Sequence, residues 1–282
     1  MKKAMLFDIQ HGSFVDGPGI RTTIFFKGCN LACKWCHNPE SQSRFAEKLF
    51  YKDKCIDCGK CKQVCPSPER CVYCGKCQLY CPVKAISICG REYMVDEVLE
   101  EILADRIFYG NDGGVTFSGG ECMLQHEFLT EILKRCKEQG IHTAVDTAGH
   151  VEFTVFEQIL PYTDVFLYDM KCATEQVHRE YTGVSNRLIL ENLYRLKERG
   201  ARLIIRVPLV PGVNTSLTEL ERMRKILDEI KPELVEILPY HRMGVRKAAA
   251  LGTVWWEFRS PDEEEIRLAK EMLIENKKDK KE

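Results

Sequence analysis

Cys29-Asn30-Leu31-Ala32-Cys33-Lys34-Trp35-Cys36 places three cysteines within eight residues, spaced x3 then x2. Thiolates so spaced can reach one face of a compact metal centre, and His37-Asn38-Pro39-Glu40 follows without a fourth cysteine. Structural zinc and closed iron–sulfur sites take four protein ligands, so three ligands leave a coordination position open for chemistry. The competing reading is a zinc loop completed by His37 or a distant residue. Zinc sites usually combine a C-x2-C pair with a second, distant pair, which this spacing does not match.

Immediately before the loop, residues 22–27 (TTIFFK) form a short apolar, β-branched and aromatic run suited to a buried parallel strand. Similar runs recur at 115–118, 142–146, Val165–Asp169, 202–208 and Leu234–Pro239. Helical patterns lie between them over Val95–Ala104, 127–139, 186–199 and Leu217–Ile230, the last with Thr215 or Ser216 as candidate cap. A further helix is expected over 262–275, after Ser260-Pro261. Six strands alternating with helices predict an α/β fold with a parallel sheet, short of the eight units of a closed TIM barrel. Barrel logic gathers function at the C-terminal strand ends. There the chain puts the cysteine loop, 118–121, Asp146-Thr147, 169–171, Arg206 and Tyr240-His241. The charged tail 276–282 (NKKDKKE) is expected to fray.

A chain of 282 residues suits one barrel-like domain with a small insert. Its net charge of −1 gives no reason for a nucleic-acid or membrane-surface partner. The apolar start stops at Asp8, too short for a signal peptide, and no later run is long enough to span a bilayer. Fifteen cysteines then predict a reducing cytoplasm and metal ligation in place of disulfides, and oxygen-sensitive clusters predict an anaerobic host.

The βα alternation is interrupted between the first strand and Val95. Cys55-x2-Cys58-x2-Cys61-x3-Cys65-Pro66 repeats as Cys71-x2-Cys74-x2-Cys77-x3-Cys81-Pro82. Each copy matches the bacterial ferredoxin run, whose fourth cysteine ligates the other cluster. The pattern assigns one [4Fe-4S] cluster to Cys55, Cys58, Cys61 and Cys81, and another to Cys71, Cys74, Cys77 and Cys65. Two four-thiolate zinc sites are the alternative. With the first loop, eleven of fifteen cysteines are accounted for. Cys89, Cys122, Cys136 and Cys172 are left over, and Cys136 sits in a helical pattern as a core residue. The expected division is a barrel over 1–50 and 91–282 and a ferredoxin-like domain over 51–90.

The C-x3-C-x2-C loop, with Trp35 before its last cysteine, resembles the signature of radical S-adenosylmethionine (SAM) enzymes. In that family three thiolates hold a [4Fe-4S] cluster whose fourth iron SAM chelates. Ser118-Gly119-Gly120-Glu121 ends the second strand. Its two glycines allow close backbone approach. Alone it could be an ordinary turn; beside the loop it resembles the family's GGE motif for the SAM amino group, with Cys122 where proline is usual.

A narrower resemblance is carried by Asp16-Gly17-Pro18-Gly19-Ile20-Arg21-Thr22, by His37-Asn38-Pro39-Glu40 and by Asp146-Thr147-Ala148-Gly149. Asp169-Met170-Lys171, Arg206-Val207-Pro208 through Pro211-Gly212, and Leu238-Pro239-Tyr240-His241 continue it. From Asp16 to about His241 the chain resembles the glycyl-radical-enzyme activating enzymes. The resemblance implies a partial (β/α)6 barrel. It implies a SAM pocket with Trp35, Gly119, Gly120, Glu121, Asp169, Lys171, Arg206 and His241. It also implies a monovalent cation beside SAM at Asp146 and Thr147, and contact between Asp16 and the partner's glycine segment. Taken singly, Asp146 could cap a helix, and Lys171 or Arg206 could form ion pairs at the rim.

The implied reaction is reductive cleavage of SAM to methionine and a 5′-deoxyadenosyl radical, which takes a Cα hydrogen from a glycine of the partner. No side chain is assigned as acid or base. The cofactors implied are three [4Fe-4S] clusters and SAM. A ferredoxin or flavodoxin is the expected electron donor, and a monomer is expected. The alternatives are a radical SAM enzyme acting on a small molecule and a pure electron carrier. The carrier has no use for the barrel of roughly 200 residues.

Overall fold

The six apolar runs become six parallel strands. A computed structural model describes residues 2–253 and 255–274. The tail 276–282 and the last residue of the helix expected over 262–275 lie outside the described residues. The elements in order are β1 (Lys3–Ser13), β2 (Arg21–Phe26), β3 (Glu47–Phe50), α1 (Lys60–Gln63), α2 (Lys76–Leu79), β4 (Ile86–Cys89) and β5 (Arg91–Met94). There follow α3 (Val95–Ala104), β6 (Gly114–Gly119), α4 (His126–Glu138), β7 (His142–Thr147), α5 (Phe153–Ile159), β8 (Val165–Asp169), α6 (Glu175–Thr182) and α7 (Arg187–Glu198). The chain continues through β9 (Leu203–Leu209), α8 (Leu217–Ile230), β10 (Leu234–Pro239), α9 (Met243–Leu251) and α10 (Glu263–Leu273).

The main sheet is ordered β10-β9-β8-β7-β6-β2-β1-β5, so β10 and β5 are its edges and it does not close on itself. Strands β2 and β6 to β10 run parallel, and each expected strand lies within one residue of the observed one at either end. Sequence reading missed β1 and β5, which add antiparallel to the edge beyond β2. Ala4 and Leu6 of β1 alternate inward, but shifts in register after Leu6 and Gln10 break the period, and Asp8, Gln10 and His11 lie outside the core.

Helices cover the sheet because their apolar residues recur at helical spacing. Phe128, Leu129, Ile132, Leu133 and Cys136 form the buried stripe of α4. The Phe26 ring meets Phe117 and Phe128 edge to face at 6.4 and 6.0 Å. Each such side chain, fully buried, contributes about 1.5–3 kcal/mol. Ser216 caps α8 by accepting the Glu219 N–H at 3.3 Å. Asp262 and Glu265 form a reciprocal capping box at the start of α10.

Between β3 and β5 the chain builds a separate small unit. β3 and β4 pair antiparallel, from Glu47↔Cys89 to Phe50↔Ile86, and bracket the eight repeated cysteines. The two repeats share one backbone course: left-handed Asp57 and Gly59 flank Cys58 as left-handed Tyr73 and Gly75 flank Cys74. Each pair leads into one short helix, α1 or α2, and these pack on each other. Buried Lys27, at the end of β2, donates to the Glu40 carbonyl at 2.6 Å and the Glu47 carboxylate at 2.9 Å, tying this unit to the main sheet. Among the described residues no helix is long and apolar enough to cross a membrane.

Candidate active site

The cysteine loop leaves the end of β2 and is held by backbone hydrogen bonds on three sides. Gly28 and Cys29 donate to the Ser41 and Gln42 carbonyls at 2.7 and 3.1 Å, and Ala32 and Lys34 donate to Thr182 and Tyr181 of α6 at 2.8 and 2.9 Å. The Gly28 carbonyl accepts the Glu121 N–H at 2.7 Å. That contact explains Gly120: a Cβ there would stand 2.3 Å from the Gly28 oxygen. The glycine pair brings β6 against the loop. The Gly120 and Glu121 N–H groups are thus committed to Phe26 and Gly28.

Cys33 is buried, Cys29 and Cys36 half-buried, and each lies within electrostatic reach of Lys171. Burial pushes the Cys29 and Cys33 thiols up to about 12 and Cys36 to about 11, so loading a metal centre must displace their protons. Burial works against the Lys171 charge, but Asp169 at 2.7 Å and the Cys33 sulfur outweigh it and hold Lys171 above the usual range. Among the described residues no three His, Cys, Asp or Glu side chains converge at single-ion distances.

His37 stacks on His241 at 3.8 Å between ring centres, and burial, with His241 next, pushes its pKa down to about 4. Trp35 is buried against Tyr181 and Phe258, so its indole serves packing.

Strand register builds the rest. Asp169, Arg206 and Glu236 are direct partners across β8, β9 and β10, an acid–base–acid row. Arg206 reaches Asp146 Oδ2 at 3.2 Å and Glu236 at 3.5 Å, and donates to the Val15 carbonyl at 3.3 Å. Ser118 also donates to Asp146 Oδ2, at 2.6 Å, while Asp146 Oδ1 is buried without a partner. Burial raises Asp146 to about 6 against the pull of Arg206. Glu121 is fully buried and accepts from the Thr147 hydroxyl at 2.9 Å, the Ala148 N–H at 3.0 Å and the Met123 N–H at 3.2 Å. Desolvation still lifts it to about 7. Asp16 comes back to the same group on a loop fixed by Ser13 and Thr23, at 2.6 and 3.0 Å from its carboxylate.

Sequence reading did not single out Glu236 or Lys27 as site residues, and named Ser118 only as the start of the 118–121 motif. The signal was a lone charge in an apolar strand, as in Leu234-Val235-Glu236-Ile237. The leftover cysteines are buried thiols. Cys89 lies 3.9 Å from the Lys27 ammonium and is pushed up to about 11; Cys136 is a core residue of α4, pushed up to about 12. Burial also raises Cys122 and Cys172.

A family model described as "4Fe-4S single cluster domain" matches residues 15–190. The chain is 41% identical over 289 residues to the trans-4-hydroxy-L-proline dehydratase activating enzyme of Clostridioides difficile, covering 95% of each chain. It is 42% identical over 278 residues to the choline trimethylamine-lyase activating enzyme of Oleidesulfovibrio alaskensis, covering 91% of this chain and 89% of the relative. The chain belongs to the glycyl-radical-enzyme activating enzymes. A solved domain of pyruvate-formate lyase-activating enzyme from Bacteroides vulgatus is similar at 34% identity and TM-score 0.50, over 57% of this chain and 92% of that one. A radical SAM methyltransferase from Sphaerobacter thermophilus, 15% identical with TM-score 0.55 over 90% of this chain and 63% of that one, shares the fold alone. The activating enzyme is a radical SAM oxidoreductase that raises a glycyl radical in a partner enzyme. Small-molecule and electron-carrier readings are set aside.

Proposed function

We propose that the activating enzyme carries three [4Fe-4S] clusters and binds SAM within a partial (β/α)6 barrel. Cys29, Cys33 and Cys36 would hold the cluster that takes SAM. Cys55, Cys58, Cys61 and Cys81 would hold the second, and Cys71, Cys74, Cys77 and Cys65 the third, in a ferredoxin-like domain over 51–90. The observation that carries the insert assignment is a small, solvent-open hollow lined by Cys65, Cys71, Cys74 and Cys77, the four ligands the crossed pattern assigns to one cluster. The shared backbone course of the two repeats also supports it.

When bound, the barrel cluster and SAM supply the 5′-deoxyadenosyl radical that takes a Cα hydrogen from a glycine of the partner, with methionine released. The chain's own residues position the reactants and exclude water. Arg206 and Lys171 suit the SAM carboxylate, Arg206 as a planar fork held by Asp146 and Glu236. Asp169 sets Lys171, and Glu121 locks the β6 turn to the β7 end through Thr147 and Ala148. The orphaned Asp146 Oδ1 fits a monovalent cation beside SAM. The stacked rings of His37 and His241 offer a flat wall for the adenine. Asp16 faces the incoming glycine segment.

The insert passes electrons inward from a ferredoxin or flavodoxin. The monomer works in a reducing, anaerobic cytoplasm, a reading supported by fifteen cysteines. Anaerobic reconstitution with iron and sulfide analysis tests the reading. It expects about twelve irons per chain, and a plateau near about four contradicts the insert assignment.

A further inference from the structure

Residues 51–90 carry seven Lys and Arg against three Asp and Glu, a net +4 in a chain whose total is −1, which leaves −5 on the remainder. All seven cations are exposed, and none forms an ion pair among the described residues. One of the three acids, Asp53, is already paired with Arg246 of α9 at 2.6 Å. Lys60 and Lys62 stand on α1 and Lys76 on α2, two short helices packed on each other. Beside them Leu79 is 79% exposed and Tyr80 55%, an apolar centre next to ammonium groups. Small transient interfaces combine such a centre with a charged rim.

Access separates this face from the barrel. Cys58 and Cys74 are exposed, whereas Cys33 is buried. Loaded clusters add negative charge at the cysteines, and the ammonium groups, each on a four-carbon stem, remain the outermost charges. We propose that the face formed by α1 and α2 is the docking surface for a small acidic one-electron carrier protein, steered by Lys60, Lys62 and Lys76. The proposal rests on the reading above only in requiring an electron donor. The lysines choose its sign of charge.

The test measures anaerobic binding of an acidic flavodoxin to the iron-loaded enzyme over a series of salt concentrations. Wild type should bind at low salt and lose affinity steeply as salt rises. Combined Lys60→Glu, Lys62→Glu and Lys76→Glu should weaken low-salt binding by about tenfold or more, with the corresponding Gln variant intermediate. Iron content and 5′-deoxyadenosine formation with dithionite should not change. Binding by the Glu variant equal to wild type, or wild-type binding indifferent to salt, overturns the docking surface. So does a loss confined to the glycyl radical partner, which would make this face that partner's site. If the Glu variant loads less iron, the Gln variant and the wild-type salt series decide. Failure of wild type to form 5′-deoxyadenosine with dithionite would instead refute the reaction, an outcome that binding does not depend on.

Discussion

Gly120→Ala tests the joint between the β6 turn and the cysteine loop. The added Cβ would stand 2.3 Å from the Gly28 oxygen, 2.8 Å from its carbonyl carbon and 2.9 Å from the Ser41 oxygen, all backbone atoms. Carbon and oxygen approach no closer than about 3.3 Å without repulsion, so Gly28 or the turn must retreat by about 1 Å. Overpacking of this kind costs about 1–3 kcal/mol. The stretched Glu121 N–H bond to Gly28 adds about 1 kcal/mol, for a total of about 2–4 kcal/mol. At roughly 2–4 °C per kcal/mol for a chain of this size, Tm should fall by about 4–16 °C. The residue that moves is next to Cys29, and a shift of about 1 Å in a reacting array lowers rate by about a hundredfold. Anaerobic thermal unfolding and chromatography of 5′-deoxyadenosine give both readouts. Gly140→Ala is the control: it meets nothing within 4 Å but sits at φ +69°, so it should cost about 1–2 kcal/mol of backbone strain and leave the rate alone. Wild-type Tm and wild-type rate in Gly120→Ala would refute the close approach.

Other outcomes follow from the same geometry. Cys33→Ala or Cys36→Ala should abolish SAM cleavage while retaining about eight irons per chain, the content of two clusters; cleavage at the wild-type rate would exclude these ligands. Replacing Cys58 or Cys74 should slow activation with a protein reductant, and a small strong reductant should largely restore it. Equal impairment with both would point to docking or structural support. Glu121 and Asp146, lifted by burial to about 7 and about 6, hold protons in the folded chain where the unfolded chain has released them. Their contribution is complete below about pH 4 and is lost as pH rises to about 7, roughly 3 kcal/mol for Glu121 alone. In denaturant unfolding of the metal-free protein, wild type should therefore lose more stability, or gain less, between pH 5 and pH 8 than Glu121→Gln, the opposing contribution of His37, pushed down to about 4, being common to both. Identical pH profiles for wild type and Glu121→Gln count against a buried Glu121 carboxyl that holds its proton. Lys27→Met leaves the Glu40 carbonyl and Glu47 without their donor, and should destabilise the protein by about 3 kcal/mol or more in the same assay.

The parallel strands were legible because each is a short apolar run, buried on both faces in all but the edge strand β10, as Val165–Asp169 illustrates. β1 was not, since its bulges and its outer Asp8, Gln10 and His11 erase the alternation that marks an edge strand. α5 and α6 run for only 7 and 8 residues, too short for the helical period to stand out. In the site, residues such as Asp146 and Lys171 could be named from their place at strand ends and from the family resemblance. Their partners could not, because register across strands decides which charges meet. Glu236 joins Arg206 only because β10 lies beside β9 with these two residues opposite. Gly120 could be read as a place of close approach, but that the approaching group is the cysteine loop needs the fold.

The most direct test of the activity is electron paramagnetic resonance on the reconstituted enzyme with its glycyl radical enzyme partner, SAM and a reductant, in the absence of oxygen. The expected result is a stable glycyl radical on the partner, formed together with methionine and 5′-deoxyadenosine and absent from the Cys36→Ala variant. SAM consumption with no glycyl radical on the partner, or a radical formed equally well by that variant, would contradict it.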